Sequence, residues 1–291
     1  MSTSLFSDLF LPATLIIITF GLGLSISIQD VKNIILKPRN ILIGLLSQMI
    51  LLPVIAFLIA WITDLEPAYS VGLIIISICP GGATSNLVNY LLRGNVALSL
   101  SITVIHGFIT TINIPLIAGL ALTVFMRQHS DIEMPFLRSW LQIFLVTIIP
   151  AASGITIRKL REQFANKLDK PLRVILPVLL LVVYTGVIFL EEGEGGSSNR
   201  DPANFLHLIP YTLGLNVMAM TVGYYVPRLF RLSKRNSYTI AVEVGLQNSA
   251  LAIFVAGTLL DNYSMALVAV VYGSFSFFTT WLFGYLVKEY L

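Results

Sequence analysis

Predominantly apolar stretches, each about 20 residues and so long enough to cross a bilayer, recur along the chain. They cover residues 8–28, 41–63, 69–91, 96–126, 139–157, 174–190, 205–227, 237–259 and 265–287. No other feature constrains the fold as much. A segment of that length and apolarity crosses hydrocarbon only where its backbone groups bond within the protein, which a helix achieves alone. Composition agrees: 56% of residues are hydrophobic and 11% charged, where a soluble domain carries about 25% charged residues. The chain therefore reads as all-α, a polytopic membrane protein of nine transmembrane helices, with the lipid bilayer as its surroundings. The net charge of +3 is too small to suggest a nucleic-acid partner. Cys79, alone, excludes an internal disulfide and any metal site built from several cysteines. The first apolar run lacks a basic leader and reads as a span rather than a signal peptide.

The segments between these stretches sort by charge. Alternate connections hold fifteen of the eighteen Lys and Arg residues, including Lys32, Lys37, Arg93, the run from Arg158 to Arg173, the run from Arg228 to Arg235, and Lys288. The opposite set holds Arg127, Arg138 and Arg200 among many acidic residues. Cytoplasmic connections collect Lys and Arg, so the pattern predicts an external N-terminus and a cytoplasmic C-terminus in an inner (plasma) membrane. The basic stretch RKLREQFANKLDKPLR reads as a cytoplasmic loop, and EEGEGGSSNRDPAN (191–204) as an external connector.

Two spans are interrupted near their middles. CPGGATSN (79–86) combines a proline that removes a backbone donor with two glycines that loosen the helix. AVEVGLQNSA (241–250) carries Glu243, Gln247 and Asn248 around Gly245. An ionised carboxylate in hydrocarbon costs several kcal/mol, roughly 3 or more, and persists only where something offsets that cost. The two spans are the middle members of three-helix groups, 2–4 and 7–9, that insert with opposite orientation. Paired interrupted helices in inverted halves point to a secondary-transporter site at the membrane midplane. Ser99, Thr103 and His106 follow at spacings that share one helix face, and Gln48 is an isolated amide in span 2. Neutral oxygens around one carboxylate suit a desolvated hard cation such as sodium, not a transition metal, which wants clustered His or Cys.

The stretches CPGGATSNLVNYLLRGNVALSLSIT and TIAVEVGLQNSALA, with GLLSQMILLP ahead of them, resemble the signature segments of the bile acid:sodium symporter family. The likeness runs over most of the chain in the same order and spacing. It implies an inverted-repeat core domain with two crossed discontinuous helices, plus a panel domain. Residues 1–40 would form the first panel helix, 41–126 the first half of the core, 127–204 two further panel helices, and 205–291 the second half of the core. Many bacterial members have ten helices; nine here would correspond to loss of the first.

The resemblance also implies two Na+ sites. Site 1 would use Ser85, Asn86, Ser99, Thr103 and Glu243; site 2 would use Gln48, Glu243 and Gln247 with the carbonyls of Val244 and Leu246. Asn248 would contact the substrate, an organic anion such as a bile acid or a related steroid or carboxylate. Where some bacterial members present polar residues on the last helix, this chain has Phe277 and Phe278, and His106 is an added ionisable group that could line the same cavity. The function implied is sodium-coupled import by alternating access. A proton-coupled carrier or exchanger using Glu243 is the alternative from the residues themselves. An intramembrane enzyme or a receptor has no supporting motif, so no enzymatic activity is expected. Oligomeric state is not readable from the chain.

Overall fold

A computed structural model describes residues 9–26, 38–126, 132, 134–189 and 202–289. Among the described residues the regular structure is entirely helical. In chain order the helices are α1 (Leu11–Ser25), α2 (Pro38–Ile62), α3 (Pro67–Ile78), α4 (Ala83–Leu91), α5 (Val96–Phe125) and α6 (Phe136–Leu160). They continue with α7 (Glu162–Phe189), α8 (Pro202–Leu229), α9 (Lys234–Gly245), α10 (Ser249–Leu259) and α11 (Tyr263–Glu289). Five segments are long and apolar enough to cross a membrane unbroken, within α2, α5, α6, α8 and α11. Helix α1 and α3, the Val174–Ile188 part of α7, and α10 are shorter apolar helices. The interrupted spans appear as the pairs α3–α4 and α9–α10, with their breaks at the two motifs read from the sequence.

One expected boundary is corrected. The basic stretch 158–173 is not a loop: α6 runs on through Arg158 and Lys159, only Arg161 leaves helical geometry (φ −140°, ψ 67°), and α7 begins at Glu162. Glu162, Gln163, Ala165, Lys167 and Leu168 are good helix formers. Hydropathy marks where lipid ends, and the helix itself continues past that point. The expected connector 191–204 lies outside the described residues up to Asp201, and Pro202 already opens α8.

The first halves of the two broken helices, α3 and α9, are largely enclosed. Every residue of α3 from Tyr69 to Ile78 is buried, as is all of α9 from Ser237 to Gly245. Leu42, Trp61, Leu116, Leu145, Leu181 and Leu206 are among the large apolar side chains left exposed on the surrounding helices, as expected where lipid is the solvent. Lipid removes the hydrophobic drive between helices, so close packing and hydrogen bonds hold them together. Helix α1 illustrates this against α6. A Cβ at Gly23 would lie 2.2 Å from the Ala151 carbonyl oxygen, and one at Gly154 2.5 Å from that of Phe20. The backbones meet at these glycines, and Thr19 donates to the Val146 carbonyl at 3.0 Å beside them.

Helix α2 contains a π turn over Ser47–Leu51, in which the Leu52 amide reaches the Ser47 carbonyl. Pro53 follows and has no N–H to give the preceding turn, so the widened turn takes up the mismatch. Gln48 sits inside it, fully buried.

Candidate functional site

The first break follows from Pro80. Cys79 is extended (φ −73°, ψ 149°), and Gly82 is extended again before α4 begins. The second begins at Leu246 (φ −115°, ψ 101°) and ends at Asn248, whose side chain accepts from the Leu251 amide at 3.1 Å and caps α10. The two breaks meet. Gly81 and Gln247 form an isolated antiparallel bridge, and the Asn248 amide donates to the Pro80 carbonyl at 2.8 Å. Each unwound segment thus satisfies part of the backbone that the other has released, which is how irregular backbone is tolerated at membrane depth.

Glu243 lies at this meeting point and is fully buried. Ser99 donates to its Oε2 at 2.5 Å and Thr103 donates to its Oε1, while the Ser85 hydroxyl, which donates to the Gly82 carbonyl at 2.7 Å, lies on the same side as Gly81. Both α5 residues face it because they are one turn apart. Gly81 closes the other side: a Cβ there would fall 2.2 Å from Glu243 Oε1. Only glycine lets the first break approach the carboxylate of the second.

Several buried side-chain atoms have no hydrogen-bond partner among the described residues: Gln48 Oε1 and Nε2, Asn86 Oδ1, Asn89 Oδ1, Gln247 Oε1, and both ring nitrogens of His106. Leaving a buried polar group unpaired costs about 1–3 kcal/mol, and such groups normally find partners. Asn86 and Gln247 leave their oxygens unpaired because their amide nitrogens are committed. Asn86 Nδ2 donates to the Gly82 carbonyl at 3.2 Å, and Gln247 Nε2 to the Val244 carbonyl at 2.6 Å. A buried carboxylate beside hydroxyls, with unpaired amide oxygens on the two half-helices that meet there, could hold a hard monovalent cation.

The residues expected at the site are distributed as follows. Ser85, Asn86, Ser99, Thr103, Glu243, Gln247, Val244 and Leu246 all belong to the crossing, and Gln48 is buried in the π turn of α2. Asn248 is only partly buried, unlike its neighbours. His106 is buried one turn along α5 from Thr103, and one turn further Thr110 lies 3.4 Å from the Ile78 carbonyl. Phe277 packs with Val88, Leu92, Tyr238, Val242 and Leu246, while Phe278 is 69% exposed.

Two groups escaped the sequence reading. Asn89 Nδ2 donates to Ser99 Oγ at 3.0 Å and to the Thr239 carbonyl at 3.3 Å, so it steadies a hydroxyl that holds Glu243. Its spacing of three from Asn86 was the available signal. Asn216, Tyr272 and Thr280 converge on the Gly245 carbonyl from α8 and α11. An asparagine within the apolar run LGLNVMAM was the hint there.

Two broken helices that meet around a buried carboxylate define a class, the helical membrane transporters. Comparison with known proteins makes it specific. The family model described as "Sodium Bile acid symporter family" matches residues 12–195. The probable chloroplastic sodium/metabolite cotransporter BASS1 of Arabidopsis thaliana is 29% identical over 244 residues, 83% of this chain and 57% of the relative. The uncharacterised sodium-dependent transporter YocS of Bacillus subtilis is 26% identical over 242 residues, 82% and 71% of the two chains. The human sodium-dependent organic anion transporter is 26% identical over 237 residues, 81% and 60%. The chain belongs to the sodium bile acid symporter family. It spans 57% of the Arabidopsis relative and 60% of the human one.

Proposed function

We propose that this chain is a sodium-coupled symporter that imports an organic anion by alternating access. The observation that carries the reading is Glu243. It is wholly buried where two broken helices meet and is bonded by hydroxyls, and the segments that meet there carry buried amide oxygens, Asn86 Oδ1 and Gln247 Oε1, that lack donors. A cation offsets both deficits at once, because it neutralises the carboxylate and takes up lone pairs that no N–H or O–H satisfies. Membership of a family named for sodium symport, and relatives described as sodium-dependent, support sodium as that cation.

Two Na+ ions are assigned. One is held by Ser85, Asn86, Ser99, Thr103 and Glu243. The other is held by Gln48, Glu243, Gln247 and the carbonyls of Val244 and Leu246, where it would displace the present Gln247–Val244 hydrogen bond. Ion binding then ties α3–α4 to α9–α10 and presets Asn248 for the anion. The helix ends at α4 and α10 turn positive dipoles towards the substrate's negative group. Each ligand thereby raises the other's affinity, by the reciprocity that coupling requires.

In this reading the membrane topology is nine spans, with α3–α4 and α9–α10 each counted as one. The basic connections face the cytoplasm of a plasma membrane. Spans 2–4 and 7–9 form an inverted-repeat core. Helices α1, α6 and α7 form the panel, which the close α1–α6 packing favours. The human organic anion transporter and the family name suggest an amphipathic carboxylate or steroid anion as substrate, with His106 near the cavity.

The test is uptake of a panel of radiolabelled organic anions into proteoliposomes, with and without an inward sodium gradient. Sodium-driven accumulation of at least one anion is expected. Accumulation driven by a pH gradient in sodium-free buffer would instead make Glu243 a proton carrier.

A further inference from the structure

Asn216 belongs to neither broken helix, yet it is fully buried and bonded on both ends of its amide. Its Nδ2 donates to the Gly245 carbonyl at 2.7 Å and lies 3.2 Å from the Tyr272 hydroxyl and 3.4 Å from Thr280 Oγ1. Its Oδ1 accepts from Thr279 at 2.7 Å. The Gly245 carbonyl also accepts from Tyr272 at 2.8 Å and from Thr280 at 3.3 Å. A carbonyl freed at a helix C-terminus needs one donor to be satisfied. This one takes three, from side chains on two helices that flank the break, which is more than satisfaction requires.

The direction of that carbonyl matters. Helix α9 ends at Gly245 and Leu246 is extended, so the Gly245 carbonyl belongs to the last helical residue before the chain unwinds. Fixing it fixes the peptide plane between the Val244 and Leu246 carbonyls and so limits how either can turn. Val244 already meets the Gln247 amide at 2.6 Å. The end of α3 is held more lightly: its Ile78 carbonyl meets one outside side chain, Thr110 of α5 at 3.4 Å, and the Gly82 carbonyl is bonded by Ser85 and Asn86 of its own half-helix.

We propose that Asn216, with Tyr272 and Thr280, is the positioning group of the second cation site. It clamps the Gly245 carbonyl and so aims the Val244 and Leu246 carbonyls at the ion. This rests on the sodium reading above. Asn216 touches no cation itself. Its contribution is to prepay the ordering of two flexible backbone ligands, which a site built on unwound chain otherwise meets on binding.

The experiment is equilibrium binding of 22Na+ to the purified full chain in detergent, with thermal unfolding measured alongside in sodium-free buffer. Tyr272→Phe keeps the ring and deletes one hydrogen bond to the carbonyl. It is expected to raise the sodium half-saturation about threefold to tenfold, the size of one lost hydrogen bond. Asn216→Ala is expected to raise it further and to lower the Hill coefficient towards that of a single site. Thr280→Ser, which keeps the hydroxyl, is expected to bind as wild type. If Asn216→Ala does not fold, Tyr272→Phe decides alone. A lower melting midpoint with unchanged half-saturation and Hill coefficient in Tyr272→Phe would overturn the proposal, because that is the signature of a purely structural bond. Gln247→Ala serves as the reference. If it weakens binding while Tyr272→Phe does not, the clamp is wrong and the sodium reading stands. If wild type shows no saturable 22Na+ binding, the sodium reading itself fails and the clamp falls with it.

Discussion

The two breaks that cross in this protein are built differently. Between α3 and α4 the chain is interrupted by Pro80; the Ile78 carbonyl meets the Thr110 side chain at 3.4 Å, the Pro80 carbonyl accepts from the Asn248 amide at 2.8 Å, and the Gly82 carbonyl is bonded by Ser85 and Asn86 of the following half-helix. Between α9 and α10 no proline intervenes. The freed Gly245 carbonyl is held from outside by Asn216, Tyr272 and Thr280, and Glu243 carries the charge two residues earlier. The first break is thus dictated by its own proline, with one outside side chain on the end of α3, and presents hydroxyl and amide groups. The second has no proline, is held by three side-chain donors from two neighbouring helices, and presents the carboxylate. The lesson is that a helix can be interrupted by its own proline or held open mainly by donors from its neighbours.

The strongest way to break this contrast is to remove the charge. Glu243→Ala is expected to abolish sodium-dependent uptake, by about 100-fold or more, since a buried ion-pairing group is worth several kcal/mol, roughly 3–5. Glu243→Gln keeps the shape. In sodium-free buffer it is expected to melt higher than wild type, because an uncompensated buried charge has been removed. It should also lose the sodium-induced stabilisation, which for wild type at about 100 times half-saturation amounts to about 2.7 kcal/mol. A sodium-induced shift of wild-type size in Glu243→Gln would place the ions elsewhere.

Next comes a paired comparison of glycines, one from each break. Gly81→Ala puts a Cβ 2.2 Å from a carboxylate oxygen held by Ser99 and Thr103, whereas Gly245→Ala first meets the flexible Met220 side chain at 2.7 Å. Sodium half-saturation is expected to rise about tenfold or more in the first, and less in the second, in line with about 1–3 kcal/mol for overpacking. Thermal shift against sodium concentration measures both; the reverse order would mean that the first break does not shape the site.

A smaller effect is expected for Gln48→Ala. Its amide has no partner among the described residues, so deletion should leave sodium-free stability essentially unchanged and raise sodium half-saturation about tenfold, one charge-assisted contact. An unchanged sodium response would exclude Gln48 as a ligand.

The smallest effect on sodium is expected for His106→Ala. The ring sits one turn beyond Thr103, and neither nitrogen has a partner among the described residues. Sodium half-saturation should stay within about twofold while anion affinity falls by about 1 kcal/mol, the worth of one hydrogen bond. Equal anion affinity and equal pH dependence in wild type and variant would reduce the histidine to packing.

Much of this site was legible in the residues because its elements are local. A proline with two glycines interrupts a helix wherever it stands, Ser99 and Thr103 share a face by helical spacing alone, and a carboxylate in an apolar run demands a partner. The positions of the apolar helices were legible for a similar reason, since lipid imposes one length on every crossing segment. The same signal failed at 158–173, where the polar start of α7 is helical without being apolar. Asn89 had only its spacing from Asn86 to mark it, and Asn216 was not legible as a site residue, since a single amide in an apolar helix reads the same whether it bonds a neighbour or nothing.

By itself, then, the sequence determined that the chain is helical, where its apolar segments lie, and which two of them are broken. Those properties follow from hydropathy, helical period and the chemistry of Pro and Gly, each acting over a few residues. Only the tertiary structure decided that the breaks meet through Gly81 and Gln247, that Glu243 points into that meeting, and that Asn216 reaches the Gly245 carbonyl from another helix. Those contacts join residues up to 166 positions apart, Gly81 to Gln247. They depend on how α3, α5, α8, α9 and α11 pack, which close approach and hydrogen bonding settle once lipid has removed the hydrophobic drive between helices.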